Sequence, residues 1–195
     1  DLNWLAYSVS EALGDKNWTK KLYIKAENSA ESSLDLNWLA FSITETLGDK
    51  EWAKKLYKKA QSDPDNIREL CDLADSISET FADKEWQTQV YKKAEGMAKE
   101  HSEFYELADS IYSKLGDEEW ARELYKKAED TALDSSDLLS LVESLCVKLG
   151  DQSWARKVYL KAETLAQDSN DFCGLADILC EKLRDKELAG KLYER

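Results

Sequence analysis

A single proline and seven glycines in 195 residues leave too little material for the turns of a β-rich fold. One histidine and four cysteines leave equally little for metal or nucleophile chemistry. Cys71, Cys146, Cys173 and Cys180 form no CxxC pair and no zinc-like spacing. Basic residues are outnumbered, 27 Lys and Arg against 40 Asp and Glu, for a net charge of −13. That balance opposes a broad electrostatic grip on nucleic acid or anionic lipid. No apolar run approaches the ~18 residues that cross a bilayer, so no membrane role is expected. The chain opens at Asp1 without Met and shows no charged-then-apolar leader. No GxGxxG, P-loop, GxSxG or HExxH pattern occurs, and His101 stands alone in a polar connection. What is present is 43% apolar residues, with seven Trp and nine Tyr, too apolar and aromatic for a disordered segment.

The dominant feature is internal repetition. The motif GDKNW at Gly14 returns as GDKEW at Gly48, ADKEW at Ala82, GDEEW at Gly116, GDQSW at Gly150 and RDKEL at Arg184, always 34 residues on. Six repeats follow, at 1–34, 35–68, 69–102, 103–136, 137–170 and 171–195, the last cut short, and they read as a single array. Repeats one and two share 19 of 34 residues, which points to duplication.

With positions numbered 1 to 34 within each repeat, the columns have physical meanings. Asp15, Asp49, Asp83, Asp117, Asp151 and Asp185 are complete, and an Asp there caps a helix N-terminus. Gly at four of the six preceding positions suits a left-handed residue closing the previous helix. Each repeat therefore reads as helix, tight turn, helix. The first helix, expected over positions 2–13, buries Leu2, Leu5, Ala6, Val9 and Leu13 in repeat one, a stripe at helical spacing. Position 5 is Leu in all six repeats. The second helix carries Trp18, Leu22, Tyr23 and Ala26, and its Tyr column (Tyr23, Tyr57, Tyr91, Tyr125, Tyr159, Tyr193) is unbroken. Neither helix buries its stripe alone, so neighbouring repeats must stack. Asn66-Ile67-Arg68-Glu69 has the capping-box pattern, and Pro64 ends its helix earlier than its siblings.

Gly48-Asp49, Ala53, Tyr57 and Ala60, in the pattern GDxxxAxxxYxKA on a 34-residue helical hairpin, resemble the tetratricopeptide repeat. The likeness covers the whole chain. Trp18, Trp52, Trp86, Trp120 and Trp154 mark a divergent subclass, since the family has no fixed residue there. The resemblance implies an all-α, right-handed α-solenoid whose first helices line a concave groove for peptides or partner helices. The pentatricopeptide class, which binds single-stranded RNA, has a longer period and a basic groove; this acidic chain fits it poorly.

Differences between repeats point to the groove. Position 4 reads Trp4, Trp38, Asp72, Glu106, Ser140 and Gly174; position 7 reads Tyr7, Phe41, Asp75, Asp109, Glu143 and Asp177; position 8 holds Ser8, Ser42, Ser76, Ser110 and Ser144; Glu79 adds a carboxylate at position 11. Aromatics at one end and acids through the middle suit a peptide with apolar anchors and Lys or Arg. The opposing reading has Trp4 and Trp38 packed on the adjacent repeat and the acids solvated. The Lys column of the second helix (Lys25, Lys59, Lys93, Lys127, Lys161) suits the helix dipole, or a contact with an acidic row of another molecule. The Trp column is expected in the inter-helix core.

The function expected is a protein-interaction scaffold that is not an enzyme, with no catalytic residue, cofactor or metal. Two alternatives are a head-to-tail self-associating array and the recruiting arm of a larger enzyme. The four cysteines read as small apolar residues of a reducing compartment, hence cytoplasmic. Cys173 and Cys180 on one helix stand about 10 Å apart in rise, too far for a disulfide.

Overall fold

The structure, a computed structural model, describes residues 2–193. Asp1, where the first repeat opens, and Glu194 and Arg195, where the sixth is cut short, lie outside the described residues. The protein is all-α, with twelve helices among the described residues and no strand. The chain divides into two compact units, Asp1–Met97 and Ala98–Arg195, with the boundary just after the sixth helix.

The first unit holds α1 (Leu2–Leu13), α2 (Lys16–Ser29), α3 (Ser33–Leu47), α4 (Lys50–Ser62), α5 (Ile67–Phe81) and α6 (Lys84–Met97). Each odd-numbered helix packs on the even one that follows, and α3 also packs on both α1 and α2, as α5 does on α3 and α4. Its core is built from Leu39, Ile43, Leu70, Leu73 and Ile77 around the fully buried Tyr23, Tyr57 and Tyr91. Small residues let the helices approach: Ala26, Ala60 and Ala94 are buried in the second helices.

The second unit holds α7 (His101–Ser110), α8 (Glu118–Thr131), α9 (Ser135–Val147), α10 (Gln152–Leu165), α11 (Ser169–Ile178) and α12 (Lys186–Tyr193). Here α7 and α11 each run on into a single π-helical turn, Ile111–Leu115 and Leu179–Leu183. The hairpins are again α7 with α8, α9 with α10 and α11 with α12, and α9 packs on both α7 and α8.

Local chemistry accounts for the turns. All six column aspartates cap the second helix: Asp49, Asp83, Asp117, Asp151 and Asp185 each accept one backbone N–H three residues on, and Asp15 accepts from Asn17 and Trp18. The preceding residue is left-handed in every repeat, including Ala82 at φ 53° and Arg184 at φ 57°, where no glycine relieves the strain.

From the second repeat on, the first helices begin two residues before the sequence-derived repeat boundary, not after it. Ser32, Asn66, Asp134 and Asp168 cap them by accepting from the N–H of Asp35, Glu69, Asp137 and Asp171. Each of those acids, and Glu103, accepts in return from the backbone one residue before the cap: Glu31, Asp65, Lys99, Leu133 and Gln167. The expected Asn66–Glu69 box is thus one of five such clasps, and its return bond goes to Asp65. Ahead of Pro64, α4 stops at Ser62, one residue earlier in register than α2.

Candidate functional site

The first unit carries an open groove of about 660 Å³ between α1 and α3. Trp4 and Tyr7 of α1 form one wall, stacked at 6.2 Å and 12° between ring planes. Trp38 and Phe41 of α3 form the other, edge to face at 6.4 Å and 87°. Ala26, Ser29 and Ala30, from the end of α2, floor it. Trp4 is 69% exposed and Trp38 59%, unusual for the largest apolar side chain. Neither is covered by an adjacent hairpin, as the packing reading of this pair required. Because Tyr7 and Phe41 sit one turn along from Trp4 and Trp38, both aromatic pairs share a helix face.

Of the residues expected to line a groove, Trp4, Trp38 and Ser42 come together here. Ser42 is buried, its carbonyl accepting from Thr46 at 2.7 Å, so its hydroxyl column is only partly a lining. Ser8 is half-buried on α1 outside the groove, and Asp72, Ser76 and Glu79 lie on α5, where Asp72 and Glu79 are exposed. Ser76 donates to the Asp72 carbonyl at 2.9 Å, the usual back-bond of a helical serine. Glu106 and Ser110 belong to the second unit, both half-buried on α7. Tyr7 and Phe41 of position 7 line it too, as does Asp35, which column comparison did not select. The signal is the single aromatic three residues after each tryptophan.

The acids at position 7 do structural work. Tyr91 donates to Asp75 at 2.7 Å, Tyr125 donates to Asp109, and Tyr193 donates to Asp177 at 2.5 Å. Burial, reinforced by the facing carboxylate, pushes the phenols of Tyr91 and Tyr125 well above their ordinary range. In the second unit lysines of the next hairpin also engage these acids, Lys148 with Asp109 at 2.5 Å and Lys182 with Glu143 at 2.7 Å. Where position 7 is Tyr7 or Phe41, the column tyrosine turns instead to the next hairpin: Tyr23 bonds Thr46 at 3.0 Å and Tyr57 bonds Thr80 at 3.2 Å.

Three expectations need correcting. The Trp column is not uniform core: Trp86 is buried, Trp52, Trp120 and Trp154 are half-buried, and Trp18 is 46% exposed. The indole N–H explains this, since it needs a polar partner at the rim of the packing surface. It finds one on the preceding hairpin: Trp52 donates to Glu27 at 2.8 Å, Trp86 to Gln61 at 2.9 Å and Trp154 to Glu129 at 2.8 Å. His101 is not a loop residue but the buried first residue of α7. Its Nδ1 lies 2.9 Å from the Ala128 carbonyl, which can only accept, so Nδ1 carries the proton. Of the cysteines only Cys71 is buried; Cys173 is exposed, and all four are free thiols.

Two lysines of the column also reach across hairpins rather than serving only their own helix dipole. Lys93 donates to the Gln61 and Ser62 carbonyls and Lys161 to the Glu129 carbonyl at 2.6 Å, at the C-terminal turn of the preceding second helix.

Among the described residues no helix is long and apolar enough to cross a membrane. No group of three or more His, Cys, Asp or Glu among them is placed to hold a metal ion. The sequence matches no protein-family model and no curated protein.

Proposed function

We propose that the chain is a tetratricopeptide-like, right-handed α-solenoid that acts as a non-enzymatic interaction scaffold. It seats a peptide or partner helix in the groove between α1 and α3. The observation that carries this reading is the exposed aromatic quartet, Trp4, Tyr7, Trp38 and Phe41, around a hollow of about 660 Å³. Exposed tryptophans facing a preformed concavity are the typical anchors of recognition surfaces.

Covering the exposed part of each tryptophan removes on the order of 120 Å² of apolar surface, roughly 3 kcal/mol apiece at ~25 cal/mol per Å². Association costs ~4–15 kcal/mol, so two tryptophans alone do not hold a ligand tightly. An apolar side chain inserted between the two walls supplies further burial. The net charge of −13 favours a partner with Lys or Arg near that anchor and speeds its approach at low salt. Asp72 and Glu79 are the exposed carboxylates of the first unit in question.

Selection of peptides from a displayed library, followed by titration of the winners against the full chain, tests this. Winners carrying an aromatic or aliphatic anchor with basic neighbours are expected. Trp38→Ala should weaken them at least tenfold while leaving the thermal midpoint within about 2 °C, because the side chain is largely exposed. Equal binding by a Trp4→Ala, Trp38→Ala double variant, or failure to select any peptide, would refute the groove.

A further inference from the structure

A second surface, remote from the groove in chemistry and residues, is the outer face of the first hairpin. Position 5 is leucine throughout, and Leu39, Leu73, Leu141 and Leu175 are fully buried, each on a helix that packs against the hairpin before it. Leu5 is 46% exposed. Leu13 and Ile24 are exposed on the same hairpin, and Trp18, Lys21, Leu22, Ile24 and Lys25 line a hollow of about 320 Å³.

The polar groups of this face are as telling as the apolar ones. Trp86 and Lys93 stand seven residues apart, two turns along one helix face, and both hold the same residue of the preceding hairpin. Trp86 Nε1 donates to the Gln61 side chain and Lys93 Nζ to the Gln61 carbonyl. Trp154 and Lys161 do the same to Glu129, through its side chain at 2.8 Å and its carbonyl at 2.6 Å. Gln61 and Glu129 each lie in the last turn of a helix, where carbonyls lack intrahelical partners and the dipole favours a cation. Trp18 and Lys25 have the same seven-residue spacing, and neither side chain has a polar partner among the described residues.

We propose that this face docks the C-terminal turn of an α-helix bearing Glu or Gln, presented by a helical hairpin. Trp18 Nε1 donates to the side-chain oxygen, Lys25 Nζ to the main-chain carbonyl of the same residue, and Leu5 is covered by the hairpin's apolar stripe. The occupant is defined by three requirements met together: a helix end, a Glu or Gln within its last turn, and an apolar flank. A generic acidic peptide offers the carboxylate without the fixed placement of side chain and carbonyl at the negative end of a helix dipole. The inference does not depend on the groove, since no residue of the clasp lines it.

The test is the full chain lengthened by a copy of its own residues 1–34 placed directly before Asp1. This sets Glu27 of the added copy 25 residues ahead of Trp18, the separation of Glu27 from Trp52. Hydrogen exchange of the Trp18 indole N–H is followed by NMR, its resonance assigned by loss in Trp18→Phe. Exchange is expected to slow at least tenfold on lengthening, to stay slow with Glu27→Gln in the added copy, and to recover most of its speed with Glu27→Ala there. Unchanged exchange on lengthening overturns the proposal, as does protection that survives Glu27→Ala. Loss of peptide binding at the groove would leave this result untouched.

Discussion

The same substitution at two equivalent positions, Leu5→Ala and Leu39→Ala, should differ severalfold in cost. By column the two leucines are identical, each the fifth residue of its repeat and each on a first helix. Leu39 is 1% exposed, enclosed between α3 and its neighbours, so truncation loses the full transfer energy and leaves a cavity, together about 3 kcal/mol. Leu5 is 46% exposed, so roughly half the transfer energy is at stake and no closed cavity forms, about 1 kcal/mol or less. The slightly better helix propensity of alanine trims both costs by tenths. Urea unfolding followed by tryptophan fluorescence reads the difference in the transition of the first unit. At a slope of ~1–3 kcal/mol/M, Leu39→Ala lowers the midpoint by about 1–3 M and Leu5→Ala by about a third of that or less, with slopes unchanged. Equal losses would mean that Leu5 is covered, and would remove both the exposed face and the docking inferred from it.

Three further outcomes follow from local geometry. Ala82→Gly and Arg184→Gly should each stabilise by about 0.5–1 kcal/mol, since relief of the left-handed penalty exceeds glycine's greater freedom when unfolded; lower thermal midpoints would contradict the assigned φ of 53° and 57°. Tyr91→Phe should cost about 2 kcal/mol, because it removes a 2.7 Å bond to a carboxylate, and Tyr57→Phe only about 1 kcal/mol, because its partner is the Thr80 hydroxyl; chemical unfolding of the pair decides this. Asp151 is held at about 2, chiefly by the Trp154 backbone N–H and then by the Arg122 guanidinium at 2.9 Å. Its folded value lies below the ordinary 3.8, so its contribution is present above about pH 4 and is lost as pH falls toward 2. Asp151→Asn should flatten that part of the stability profile while keeping a capping side chain, and an unaltered acid limb would show that the aspartate is not responsible.

Part of the candidate site was legible in the sequence. Trp4 and Trp38 stood out because their column changes to Asp72 and Glu106 in later repeats, a break that stacking does not require. Ser42 was found for a weaker reason, since its column is serine in five repeats, and its burial shows that smallness there serves packing. Tyr7 and Phe41 stood in a column whose later members are acids, which hid the aromatic pairs they form with Trp4 and Trp38. Those acids read as groove charges, yet Asp75, Asp109 and Asp177 receive tyrosine hydroxyls. Nothing in a column of aspartates says whether they face solvent or a phenol sixteen residues away.

By itself the sequence determined what is settled within one turn of chain. The Asp column caps the second helices because its carboxylate reaches an N–H only three residues on. The left-handed residue before it follows from the need to close one helix and open another in two residues, strongly enough that Ala82 and Arg184 adopt it without glycine. The apolar stripes needed only helical periodicity. Tertiary structure decided everything that depends on which hairpin lies alongside. It separates Leu39 from Leu5, sends Tyr57 to Thr80 but Tyr91 to Asp75, and gives Trp52 its Glu27 while leaving Trp18 exposed. Identical residues in identical helices acquire different environments because burial and hydrogen bonding are properties of neighbours, which no single column specifies.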